Sequence, residues 1–147
     1  MTPQQHIDYL IRHCGMAVMG SHNRYNFAYT IGLTEQQLPE LIIFGPSMES
    51  SHIILNVAAE IMRRKGEFKD GDITDEIGTM PNAFKEVSAR AVSHYACQAL
   101  YRYEDRPERP RFLQLVIPDR SGKMPWDHGF DAGTMNKHQP QLWTNQH

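Results

Sequence analysis

Apolar residues recur along this chain with two different periods, and each change of period marks a new element. Ile7, Leu10, Ile11 and Cys14 fall at i, i+3, i+4 and i+7, one stripe of a helix. Thr2 and Gln5 have the spacing of a capping box, Pro3 suits the first turn, and Gly15 supplies the stop. The period then shortens. "MAVMGS" and "FAYTIGL" read as strands around the polar loop "HNRYN", which is too long for a tight turn and predicts a looser hairpin. "PELIIFG" is continuously apolar between Pro39 and Gly45-Pro46, which predicts a central strand buried on both faces.

The most regular helix runs from its cap Ser47 to Gly66, with Arg63, Arg64 and Lys65 at the carbonyl end where cations are favoured. Ile53, Ile54, Val57, Ala58, Ile61 and Met62 form its apolar side, and Glu49, His52, Asn56 and Glu60 lie opposite. The next stretch is less regular, with a turn at Asp70-Gly71 and short strands near Ile73 and over 84–87. Val92, Tyr95, Ala96, Ala99, Leu100 and Tyr103 restore the helical period. "FLQLVIP" is a further strand, followed by the turn "DRSGKMP". The expected fold is a single α+β domain over 1–131, with a mixed, largely antiparallel sheet of about five strands packed with three helices. Residues 132–147 are polar and aperiodic and read as a C-terminal tail docked by Leu142 and Trp143.

Composition narrows the function classes. A chain of 147 residues with a net charge of −2 is long enough for a core and carries no basic excess, so no nucleic-acid partner is expected. No apolar run approaches the ~20 residues of a membrane span, and the start lacks a signal-peptide pattern. The chain therefore reads as soluble and cytoplasmic, with no membrane partner. Cys14 and Cys97 sit in apolar helical patterns as small hydrophobes, and a disulfide between them stays open.

The common motifs of nucleotide binding, zinc hydrolysis and serine catalysis are absent, so the sequence names neither a reaction nor a cofactor. The eight histidines are scattered, and His6 and His13 stand ~10 Å apart along a helix, so no metal site is expected. Three stretches carry candidate ligand-binding residues. In the strand "NFAYTIGL", Phe27, Tyr29 and Ile31 share one face, while Asn26, Ala28, Thr30 and Gly32 share a smaller, more polar one. Tyr29 and Thr30 are candidates there. His52 and Asn56 lie one helical turn apart and offer directional hydrogen bonds. In "PDRSGKMPWDHGFD", Asp119, Trp126, Asp127 and His128 follow a strand end, and Asp127 is placed to orient His128. Each stretch also has a plain structural reading: packing under a helix, a solvated helix face, and a return loop with Trp126 docked on the core.

"FAYTIGL", "PELIIFG", "HIILN" and "FLQLVIPDRSGKMPWDHGFD", in that order, resemble the bacterial family known as domain of unknown function 4262. The family pattern falls on Phe27, Tyr29, Thr30, Gly32, Leu33, Pro39, Glu40, His52, Asn56, Gln114, Pro118, Asp119, Gly122, Pro125 and Trp126. The resemblance implies no activity or cofactor. It favours a shared site at which the Tyr29 strand, the His52/Asn56 face and the Asp119–His128 loop converge on a small-molecule ligand. Two alternatives stay open. One is a non-catalytic interaction module or homodimer that uses the terminal segment. The other is a flavin-binding protein, since the paired strands also resemble those of flavin-reductase-like split barrels.

Overall fold

Thr2 and Gln5 make the expected reciprocal cap: the Gln5 N–H donates to Thr2 Oγ1 at 3.1 Å and the Thr2 N–H to Gln5 Oε1 at 2.8 Å. They launch α1 (Pro3–Cys14), which Gly15 closes at φ +86°. The computed structural model describes residues 1–22 and 24–143, so Asn23 of the "HNRYN" loop and the last four residues of the tail lie outside the described residues. The strands are β1 (Ala17–His22), β2 (Asn26–Ile31), β3 (Glu40–Phe44), β4 (Ile73–Thr74), β5 (Asn82–Glu86) and β6 (Phe112–Val116). They form one sheet in the order β1-β2-β3-β6-β5-β4. Four of the five pairings are antiparallel, and β3 with β6 is parallel. The mixed α+β fold is as expected, with the short β4 as a sixth strand.

Helices cover both faces. Phe27, Tyr29 and Ile31 join Ile42, Phe44 and Phe112 in one cluster with Ile7 of α1 and with α3 (Ala89–Tyr95) and α4 (Cys97–Tyr103). Ala28, Leu41, Ile43, Leu113 and Leu115 face the other way, into α2 (Met48–Lys65). The alternation predicted for β2 therefore holds, and β3 is central and buried throughout. The sheet runs from edge β1 to edge β4 without pairing between them, so it is open and does not form a split barrel.

Three helical expectations change. The helix anticipated over 92–103 is interrupted at Ala96 (φ −113°, ψ 44°), which separates α3 from α4. A further short helix, α5 (Ala132–Met135), starts where the Asp131 side chain accepts the Thr134 N–H at 3.2 Å. In α2, Ala58, Ile61 and Met62 are buried as expected, but Ser51, Leu55 and Ala59 complete the buried side and Ile53 is 59% exposed. Small residues let the helix approach the sheet, and Leu55 fills the centre of that contact.

Residues 139–142 lie across β6. Gln114 is fully buried; its Nε2 donates to the Pro140 carbonyl at 2.8 Å and its Oε1 accepts the Leu142 N–H at 3.0 Å. Gln139 adds two bonds to the Ile117 backbone, and Leu142 enters the core cluster. No helix among the described residues is long and apolar enough to cross a membrane.

Candidate functional site

The polar residues of "YTIGLT" surround a buried acid. Glu40 opens β3 with no exposure to solvent. Its Oε1 accepts the Thr30 hydroxyl at 2.7 Å and the Leu33 N–H at 3.2 Å. Its Oε2 accepts the Gly32 N–H at 3.1 Å, the Thr34 N–H at 2.9 Å and the Thr34 hydroxyl at 2.6 Å. Burial raises the Glu40 pKa, and these donors act against that rise. Gly32 is required at the bend. Its φ is +121°, and a Cβ there would sit 3.0 Å from Ile11 Cγ1 and 3.1 Å from Met16 Cα. Thr30 is therefore spent on scaffolding.

A second acid ties the same turn to α4. Glu35 receives Arg102 in a two-pronged contact, Nε at 2.9 Å and Nη2 at 3.0 Å, and the Tyr103 hydroxyl at 2.9 Å. Partial burial works to raise the Glu35 pKa. The hydrogen bonds from Arg102 and Tyr103, with the charges of Arg102 and Arg106, outweigh it and hold the pKa below the ordinary 4.5.

The three candidate stretches do not meet. Tyr29 lies on the α3–α4 face of the sheet, whereas His52 and Asn56 are exposed on α2, across the sheet from it. Asn56 Nδ2 is used on the His52 carbonyl, 2.8 Å away in its own helix. Asp119 organises the return loop. Oδ2 accepts the Asp131 N–H at 2.9 Å, and Oδ1 accepts those of Lys123 and Ser121, also at 2.9 Å. These bonds, that from Asp131 foremost, hold its carboxyl below the ordinary 3.8. Gly122 takes the positive φ of that turn, +84°. Asp127 Oδ2 accepts the Met124 N–H at 2.8 Å, and no hydrogen bond joins it to His128 among the described residues. Trp126 stands edge-on to Trp143, ring centres 5.9 Å apart, with Lys85 Nζ 5.6 Å from its ring. Lys85 shares a strand face with Ala83, opposite Phe84 and α2, so Trp126 and His52 lie on opposite sides of the sheet.

Of the candidate residues, Tyr29 borders a cleft. A hollow of about 450 Å³ lies between β1–β2 and the α3–α4 break, lined among others by Tyr25, Phe27, Tyr29, His94, Tyr95 and Cys97. Tyr95 stands edge-on to Phe27 and Phe44, ring centres 5.3 and 5.0 Å away. Burial pushes Tyr29 up to about 12, and a hydrogen bond with the Gln98 backbone works the other way. Cys97 is an exposed free thiol and so is Cys14, a correction to their expected place in apolar stripes. For Cys97 the reason is the interruption at Ala96, which changes the helical register just before it.

Residues 11–131 match the family described as Domain of unknown function (DUF4262). The chain belongs to that family. No curated protein and no solved structure matches it. Seen on this DUF4262 fold, seven of the fifteen residues that carry the resemblance have clear structural tasks. Thr30, Gly32, Leu33 and Glu40 form the carboxylate cradle, Gln114 holds residues 140–142, and Asp119 and Gly122 shape the return loop. Nothing in the structure explains His52. The cleft draws on Tyr25, His94, Tyr95, Cys97 and Gln98, which sequence reasoning did not select. For His94, Tyr95, Cys97 and Gln98 the signal was their clustering around Ala96.

Proposed function

We propose that this protein binds a small organic molecule in the cleft beside Tyr29. The observation that carries this reading is the cleft itself: about 450 Å³, walled by Tyr25, Phe27 and Tyr95, with the Tyr29 phenol among its lining. That volume lies within the usual range of ligand pockets, which combine apolar walls with a few placed polar groups. The Tyr29 phenol can both donate to and accept from a ligand.

Chemical-shift mapping of the intact chain against planar one-ring and two-ring fragments tests this. Binders are expected to move the signals of His94, Tyr95 and Gln98 and to leave His52 and Asn56 in place. Fragments that gather on α2 or beside Trp126 and bypass the cleft would overturn the reading.

A further inference from the structure

The charge and hydrogen-bonding pattern of the cleft specifies more than its volume does. A second hollow, of about 640 Å³, adjoins it, and Tyr25, His94 and Tyr95 line both. Together the two linings contain Arg24, Arg90 and His94 and no aspartate or glutamate. This contrasts with the chain as a whole, in which 17 acidic residues outnumber 15 Lys and Arg. The Arg24 guanidinium lies 5.5 Å from the centre of the Tyr25 ring, so a cation–π contact holds the charge at the rim. No carboxylate forms an ion pair with Arg24 among the described residues. Gln98, also in the lining, has a buried Oε1 with no hydrogen-bond partner. A buried acceptor in that state calls for a donor.

We propose that the cleft takes a flat aromatic acid, a ring system with a hydroxyl or N–H donor at one end and a carboxylate at the other. The inference rests on the reading of the Tyr29 cleft as a binding site. The ring lies against Tyr25 and Tyr95, the donor meets Gln98 Oε1, and the carboxylate meets Arg24. A guanidinium offers the paired donors that a carboxylate accepts, and such charge-assisted bonds are stronger than neutral ones.

Calorimetric titration of the intact chain with a hydroxynaphthoate and with the matching hydroxynaphthamide separates the two claims. The acid is expected to bind about tenfold tighter or more than the amide, the scale of one charge-assisted hydrogen bond. Arg24→Gln is expected to bring the two affinities together without moving the melting temperature, because Arg24 is on the surface. Equal affinities in the wild type, or a preference that survives Arg24→Gln, would overturn the inference and leave the cleft reading standing. If neither compound bound, both would fall.

Discussion

The Thr30 hydroxyl donates to Glu40 Oε1 at 2.7 Å and accepts the Leu41 N–H at 2.9 Å, so one side chain satisfies a buried acid and a buried amide at once. Thr30→Val strands the Leu41 N–H and takes one of five donors from Glu40, and is expected to cost about 1–3 kcal/mol in urea unfolding. Glu40→Leu leaves five donors without their acceptor and should cost about 3 kcal/mol or more. In the double variant the losses should fall well short of their sum. Fully additive losses would show that the two residues act independently.

Glu35 gives the fold an acid-sensitive element. Its folded pKa lies below 4.5, so its stabilising contribution is complete above that value and is lost as pH falls through the folded pKa. Glu40 has the opposite sign: its raised pKa makes ionisation unfavourable to the fold as pH climbs through it. Glu35→Gln should therefore melt lower than wild type at neutral pH, with the two curves converging below about 4.5. A gap of constant size across the acid range would contradict this.

Leu142 belongs to the same core cluster as Phe44 and Phe112. Leu142→Ala should lower stability by about 2–4 kcal/mol, the usual cost of a vacated leucine site. Gln114→Ala strands the Leu142 N–H and should make the terminal segment an early target for limited proteolysis. Resistance equal to that of wild type would show that the segment is held by other contacts.

Both thiols should react with a disulfide reagent in the native protein, since Cys14 and Cys97 are exposed. A ligand seated in the cleft should slow modification of Cys97 and leave Cys14 unchanged, because only Cys97 lines the hollow. Equal protection of both, or of neither, would place the ligand elsewhere.

Much of the scaffold was legible because it depends on local rules. The period of two in "FAYTI" separated Phe27 and Ile31 from Thr30, the apolar run of "LIIF" marked β3 as central, and Thr2 and Ser47 capped their helices as read. The seating of α2 was not legible. Ser51 and Ala59 look unremarkable as core residues, yet their small size lets Leu55 turn inward and Ile53 outward. That the three candidate stretches stay apart was not legible for a related reason. Periodicity does put His52 and Asn56 on one helical face, but it cannot say which side of the sheet the helix will cover. Tyr25 and Tyr95 come from separate segments, and only the packing of α3 onto the β2–β3 pair brings them together.

The parallel boundary between β3 and β6 also bears on how the chain finds this structure. β1, β2 and β3 are consecutive antiparallel partners, so their loops close at small entropic cost. β3 and β6 join only after α2, β4, β5, α3 and α4 have been spanned. Such distant pairings slow folding. Refolding should thus be slowed by Ile43→Val at that boundary and also by Val18→Ala in the edge hairpin that precedes it, and a Val18→Ala variant changed only in its unfolding rate would contradict this order. The middle of the sheet, the best-buried part of the finished protein, would then be the last junction to form.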